Sequence, residues 1–415
     1  MSNETVSRVV IVGSGQAGIE AAASLRHDGF AGSIVVIGDE PDLPYQRPPL
    51  SKEFLKNAED SSLPLRGEVF YGQNAIDLRL GHRAESIDRA AREVVLLGGE
   101  RLSYDHLVLA TGARNRMPPV SGLDGIDVME LRTLADARAL TARLDGLRHV
   151  TIIGGGFIGL EVAALLRQRD IAVDVIEAAE RLMGRVLSPI MSDWFLGFHE
   201  SIGVKVRLVT MVGEVEKLSP GGIAVSLSDG ERLQTDAVLV AAGVVPNVEL
   251  AVAAGLEVEN GIVVDELMLT SDPAISAIGD CSNHPNIHGI GMTRLESVQN
   301  AVDQGKCVGS RLAGKAVAYA SLPWFWSHQG KAKLQIAGLS VGADDFVTRG
   351  DPQSGRFSVF IYRGGRLIAV ESVNMPADHM ASRRILSAGA TVPREAAADL
   401  TAELKSFMPA AVPIA

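Results

Sequence analysis

Three kinds of residue in this 415-residue chain have types and spacing that could do chemistry. The first is a pair of glycine turns, Gly13-Ser14-Gly15-Gln16-Ala17-Gly18 and Gly154-Gly155-Gly156-Phe157-Ile158-Gly159, both G-x-G-x-x-G. In this pattern the first glycine permits a tight turn, the second lets the backbone approach a pyrophosphate, and the third lets a helix pack closely on a strand. Free N–H groups at the helix start then face phosphate charge. The second kind is an acid some twenty residues on, Asp39 within Gly38-Asp39-Glu40 and Glu177 after Val173-Asp174-Val175-Ile176. A carboxylate there can accept from ribose hydroxyls. The third is Lys52, after Arg47-Pro48-Pro49-Leu50-Ser51. The prolines force an extended approach and Ser51 is suited to cap a short helix, which would fix Lys52 near a helix start.

These residues need elements to hold them. The apolar runs Val9 to Val12 and His149 to Ile153 read as buried parallel strands, and Ile19 to Leu25 and Leu160 to Leu166 as the helices after each turn. Ser33 to Ile37 and Val173 to Ile176 are the second strands. Strand, turn, helix, strand and acid thus occur twice, which predicts two Rossmann-like α/β domains. Two dinucleotides on one chain point to a flavin and a nicotinamide, and a lysine held over the flavin could hydrogen-bond near its hydride-accepting nitrogen or pair with a buried carboxylate.

Between the turns, Val94 to Leu97 with Gly98-Gly99 reads as a hairpin, and Tyr104 to Leu109 as a strand re-entering the first sheet. Asn115 to Gly122 and Gly243 to Asn247 read as crossovers. The expected organisation is a discontinuous domain for the flavin dinucleotide at 1-115 and 243-320, one for the nicotinamide dinucleotide at 116-242, and a C-terminal α+β domain at 321-415. The last gathers Trp324-Phe325-Trp326-Ser327-His328, and Phe357 to Asn374 reads as two strands joined at Gly364-Gly365, a primed turn.

Composition excludes several classes. A net charge of −11 argues against nucleic acid and anionic membrane as main partners. The longest clean apolar stretch, Ala237 to Val245, is short of the roughly 20 residues a spanning helix needs. Met1 to Ser7 is polar and has no signal-peptide pattern, so a cytoplasmic protein is expected. Only Cys281 and Cys307 are present, with no C-x-x-C or C-x-x-x-x-C pair to relay electrons. Cys281, His284 and His288 imitate a metal-ligand spacing, but a fourth ligand is not evident, and no metal site is expected.

Gly13 to Gly18, Tyr45-Gln46-Arg47-Pro48-Pro49-Leu50-Ser51-Lys52, Ala110-Thr111-Gly112 and Ala277-Ile278-Gly279-Asp280 together resemble the FAD-dependent ferredoxin reductases of bacterial oxygenase systems, over nearly the whole chain. The R-P-P-L-S-K segment is the discriminating motif. The resemblance implies that Gly13, Gly15, Ala17, Asp39, Arg47, Lys52, Ala84, Ala110, Thr111, Gly112, Arg132, Asp280 and Val298 contact FAD. It places Gly154, Gly156, Ile158, Glu177, Arg185 and Gly243 at NADH, with Arg185 near the adenosine end. Glu161 resembles the carboxylate near the nicotinamide that pairs with Lys52. Glu296 would help position the nicotinamide, Val298 begins a helix whose amides face the flavin, and Trp326 would contact the flavin edge. Where relatives often carry an acid after W-x-W-S, this chain has His328.

Glu177 favours NADH, because a carboxylate accepts from a ribose 2′-OH and repels a 2′-phosphate; Arg181 and Arg185 follow closely enough to soften that preference. The implied activity passes electrons from NADH through FAD to a [2Fe–2S] ferredoxin serving a cytochrome P450 or a ring-hydroxylating dioxygenase. A rubredoxin reductase would share every motif, and a redox-switched FAD/NADH-binding protein is a further alternative. A monomer or weak homodimer would leave the flavin edge open. Arg66, Arg311, Lys331 and Lys333 are candidates for a patch facing an acidic ferredoxin, although Arg311 and Lys306 also suit the solvated face of a helix.

Overall fold

The computed structural model describes residues 6–58, 62–219 and 221–408. Residues 1–5, the start of the stretch read above for targeting, lie outside the described residues, as does the end of the 321–415 segment. Chain contacts divide into two compact units, Met1–Arg47 with Asp60–Arg114 and Val245–Ser321, and Pro48–Glu59 with Asn115–Val244 and Leu322–Ala415.

In the first unit the β-branched run forms the centre of a five-stranded sheet ordered Ile275–Ala277, His106–Leu109, Arg8–Val12, Ser33–Gly38, Ile76–Leu80. Every pairing in it is parallel. Val9, Ile11, Val36 and Leu107 are fully buried, as strands covered on both faces require. The helix Gln16–His27 crosses Val298–Leu312 at very close range. Glycines at two successive turns allow it: a Cβ on Gly305 would stand 2.8 Å from the Ala17 carbonyl oxygen, and one on Gly309 2.6 Å from the Ser24 Cβ. The hairpin expected at Gly98-Gly99 is part of a three-stranded antiparallel sheet, Ala84–Asp88, Glu93–Leu96 and Arg101–Ser103.

The second unit repeats the arrangement with a four-stranded parallel sheet ordered Val204–Arg207, Ala172–Ile176, His149–Ile153, Ala237–Val240. A three-stranded antiparallel sheet, Val212–Lys217, Ile223–Leu227 and Arg232–Thr235, lies beside it. The C-terminal segment forms a five-stranded antiparallel sheet from Trp324–Gln329 to Arg366–Val373, packed against the helix Pro376–Ser387. Gly364 and Gly365 both have positive φ and join its last two strands, as the primed turn requires. Among the described residues no helix is long and apolar enough to cross a membrane.

One contact in the second sheet carries a pH dependence. His149 Nε2 lies 2.6 Å from Asp174 Oδ2 and Nδ1 lies 2.8 Å from the Gln234 carbonyl oxygen. Both partners accept, so both ring nitrogens must donate and the ring is an imidazolium. The bond from Asp174 outweighs burial and raises the His149 pKa above its ordinary 6.5. A raised folded-state pKa means a contribution fully present below the ordinary value and lost as pH rises through the folded one. His149→Gln is therefore expected to be destabilised at about pH 6 and to approach the unmodified protein at about pH 9, read as denaturation midpoints. A gap that is constant with pH would contradict the imidazolium.

Candidate functional site

The first glycine turn is built by two contacts that only glycine allows. Gly13 has φ +115, and a Cβ there would lie 2.1 Å from the Ala110 carbonyl oxygen; a Cβ on Gly18 would lie 2.0 Å from the Gly13 oxygen. The turn is thereby seated on Ala110-Thr111-Gly112, which Asn247 fastens: its amide N donates to the Gly112 oxygen and its Nδ2 to the Thr111 oxygen, both at 2.9 Å. Gly15 is different. Its φ of −75 and ψ of −170 suit any residue, and a Cβ would meet no atom of the protein within 4 Å. It is also the N-cap of Gln16–His27 with no side-chain cap, so first-turn N–H groups have no partner in the helix. The open space, the uncapped amides and the glycine in front of them fit a pyrophosphate.

Other residues of the first unit converge on that turn. Gly279 would bring a Cβ within 3.0 Å of the Ala17 Cβ, and its N–H donates to Gln304 Oε1 at 2.7 Å, which sets Asp280 beside both helices. Arg294 bonds the Asp280 carbonyl oxygen at 3.3 Å and pairs with Glu296 at 2.7 Å. Ser297 caps the helix that Val298 begins, taking the Asn300 N–H at 3.1 Å. Asp39 follows the strand Ser33–Gly38 and is exposed, whereas Glu40 beside it accepts from Tyr45 Oη at 2.6 Å and from Arg47 Nη2 at 2.8 Å. Burial alone would lower the Arg47 pKa, but Tyr45, Glu40 and Asp280 outweigh it and raise it above the ordinary value. The Glu40–Tyr45 hold on Arg47 was missed, although both residues flank the motifs read above. Ala84 is buried at the start of its strand.

In the second unit the same geometry recurs. A Cβ on Gly154 would stand 2.4 Å from the Ala241 oxygen and one on Gly159 2.4 Å from the Gly154 oxygen, whereas Gly156 faces open space, its nearest neighbour at 3.9 Å. Ile158, on the first turn of the helix Phe157–Gln168, is 42% exposed although apolar. Glu177 accepts from the Gly155 N–H at 2.7 Å and from the Ala179 N–H at 2.8 Å, so the carboxylate sits against the glycine turn. A Cβ on Gly243 would stand 3.9 Å from an Arg185 guanidinium nitrogen, and Arg185 is exposed. Arg181 instead donates to the carbonyl oxygens of Gly184 and Leu187 and to Ser192 Oγ, and so braces its own loop. Arg132 precedes the capped helix Leu134–Arg143, its N–H donating to Asp136 at 3.0 Å.

The centre of this unit is a buried carboxylate. Glu161 Oε2 accepts from Lys52 Nζ at 2.6 Å and from the Ser51 hydroxyl; Oε1 accepts from Ser327 Oγ at 2.7 Å and from the His328 N–H at 3.3 Å. Its side chain is 2% exposed and that of Lys52 15%. The remaining ammonium donors reach the Pro48 oxygen at 3.1 Å and Ser51 Oγ at 3.2 Å, so every lysine N–H has a partner. Ser51 is not the helix cap expected from sequence. Lys52 occupies the N-cap position of Glu53–Asn57, and the Ser51 hydroxyl donates to the carboxylate, a charge-assisted bond stronger than the one a cap makes by accepting a backbone N–H. Ser327 belongs to the strand carrying Trp326, which stacks on Trp324 with ring centres 5.3 Å apart. His328 is exposed, and burial, then Lys52, lower its pKa.

The proposed basic patch is corrected at one position. Arg311 is turned inward, donating to Ser276 Oγ at 2.6 Å beside His106, where the serine hydroxyl can accept from it while bonded to the imidazole; it is neither on a solvated helix face nor in a surface patch. Arg66 leans on Phe70 and reaches Glu20, while Lys331 and Lys333 are exposed. Cys281 is fully buried and donates to the Ile278 oxygen, and His284 Nδ1 lies 3.1 Å from Gln304 Nε2.

Residues 7–305 match the family described as pyridine nucleotide-disulphide oxidoreductase, and residues 324–408 that described as reductase C-terminal. Rhodocoxin reductase of Rhodococcus erythropolis is 49% identical over 96% of this chain and 93% of its own. A solved ferredoxin reductase for the CYP199A2 system of Rhodopseudomonas palustris superposes with a TM-score of 0.94 at 47% identity, covering 96% of this chain and 99% of that one. The reductase in a covalent putidaredoxin reductase–putidaredoxin complex superposes at 0.93 with 39% identity, covering 97% and 98%.

Proposed function

The chain belongs to the pyridine nucleotide-disulphide oxidoreductase family, among its ferredoxin reductases, and from that premise we propose how its residues divide the work of passing electrons from NADH to a ferredoxin. FAD, when bound, supplies the exchange between a hydride pair and single electrons. The first unit holds it: the Gly13–Gly18 turn and the amides after Gly15 take the pyrophosphate, Asp39 the adenosine ribose, Asp280 the ribityl chain, and the Val298 helix start faces the ring. Arg47, fixed by Glu40 and Tyr45, brings the positive charge.

NADH is held by the Gly154–Gly159 turn, with Ile158 against it and Glu177 accepting from the ribose. Glu177 already bonded to Gly155 N–H makes a fixed negative group that repels a 2′-phosphate, so NADH is preferred. Arg181 does not soften that preference, being engaged with its own loop. Glu161 holds Lys52 Nζ in one place, and the contribution of the pair would be orientation. Glu296 would help position the nicotinamide, and Trp326 would contact the flavin edge. The observation that carries the reading is the pair Gly15 and Gly156, glycines that nothing in the protein requires, each before an uncapped helix.

The ferredoxin is of the [2Fe–2S] type and feeds an oxygenase. Its cluster is the partner's own, since two cysteines are fewer than the four thiolates such a cluster takes. Lys331 and Lys333, exposed on the hairpin that carries His328, suit an acidic partner, the reductase working in the cytoplasm as a monomer or weak dimer. The test is steady-state reduction of a [2Fe–2S] ferredoxin with NADH and with NADPH. Transfer with NADH preferred supports the reading; no transfer with either overturns it.

A further inference from the structure

The segment from Arg181 to Ser188 carries Arg185 past Gly243, and its two ends are held from different sides. At the start, the Met183 N–H donates to the Gly155 oxygen at 3.0 Å, so the segment is fixed to the glycine turn itself. At the end it is held by the C-terminal sheet. Ser340 Oγ donates to the Val186 oxygen at 2.9 Å. Glu371, fully buried on Arg366–Val373, takes both donors of Ser188: Oε1 accepts the backbone N–H at 2.8 Å and Oε2 the hydroxyl at 2.6 Å. Ser188 in turn caps the helix Pro189–Ser201, accepting the Met191 N–H at 3.3 Å.

We propose that Glu371 is a positioning residue for NADH, acting through Ser188 to hold the segment that presents Arg185 to the cofactor. The inference rests on the assignment of NADH to the Gly154–Gly159 turn. A structural glutamate has no need of such burial, because an apolar residue would fill the same space without the desolvation cost of a carboxylate. What the carboxylate adds is a two-point hold on one serine, and so a defined path for the loop that ends there. Burial raises the Glu371 pKa to about 7, against the pull of Ser188 and of Arg181, the charged group facing it from the loop. The strands on either side set Ile336 and Val359 opposite Glu371, which are apolar. Below that value the protonated carboxyl has one acceptor fewer for Ser188, and the hold weakens.

The experiment is stopped-flow reduction of the full-length FAD-loaded protein by NADH, which separates the apparent NADH dissociation constant from the limiting rate. Glu371→Gln is expected to raise the dissociation constant about tenfold, with the limiting rate within about twofold, since a shifted loop changes where the cofactor binds more than how the bound cofactor reacts. In the unmodified protein the constant should rise as pH falls from about 8 to about 6, and in the variant that dependence should vanish. An unchanged constant, or a loss confined to the limiting rate, overturns the proposal. Should Glu371→Gln fail to fold, Ser188→Ala keeps the backbone arm and loses the hydroxyl arm, with a rise of about threefold expected and no rise overturning the proposal. Arg185→Ala separates the two levels of inference. If it leaves the constant unchanged, the placement of NADH beside this segment is wrong; if it raises the constant while Glu371→Gln does not, only the positioning role fails.

Discussion

Gly15→Leu is expected to purify as a folded but colourless protein. A Cβ at that position meets no atom of the protein within 4 Å and requires no unusual backbone angle, so the sheet and helices are expected to keep their places. It would occupy the space before the uncapped amides, the proposed place of the pyrophosphate. The matching change in the second unit separates the two cofactors: Gly156→Leu is expected to be yellow, to bleach with dithionite, and not to bleach with NADH. Gly13→Ala is the contrast, since its Cβ would enter the Ala110 carbonyl, and loss of folded protein is expected there. Flavin per chain and far-UV circular dichroism decide the matter. A Gly15→Leu protein with full flavin content would remove the first turn from the FAD site.

Glu161→Ala is expected to cost stability and rate together. It leaves the Lys52 ammonium, 15% exposed, without its counter-charge, and strands the Ser51 and Ser327 hydroxyls. Removing one member of such a pair typically destabilises by about 3–5 kcal/mol. Lys52 is then free to leave its place, and if it lies at the reacting centre as proposed, a displacement of about 1 Å would lower the limiting rate of flavin reduction by about a hundredfold. The double change Lys52→Met with Glu161→Leu removes both charges, so it should recover most of the stability and none of the rate. Denaturant titration and stopped-flow reduction read the two effects separately. A Glu161→Ala protein within about 0.5 kcal/mol of the unmodified one would mean that the pair contributes nothing to the stability of the fold.

The parallel sheets, the two glycine turns and the Gly364-Gly365 hairpin were legible because each is governed by local pattern: β-branched runs, glycine spacing, a primed turn. The meeting of Lys52 with Glu161 was legible only through resemblance, as the two are 109 residues apart. Ser51 was misread because its sequence neighbours favour a cap, while a buried carboxylate supplied by a distant helix took the hydroxyl. Arg311 was misread for a related reason: nothing near it in sequence signals that His106 and Ser276 lie beneath it. Glu371 looked like an ordinary strand residue, and its role depends on Ser188, 183 positions away. Local chemistry is written along the chain; the competition between acceptors for one donor is settled only when distant segments meet.

The most direct test of electron passage from NADH through FAD to a ferredoxin is an anaerobic titration of the purified yellow protein with NADH, followed by mixing with an oxidised [2Fe–2S] ferredoxin and, separately, a rubredoxin. Bleaching of the flavin by NADH and rapid recovery of its colour on adding the ferredoxin, with slower recovery from rubredoxin, is the expected result. Bleaching that neither acceptor reverses would contradict the account and leave a protein that binds FAD and NADH without passing electrons on.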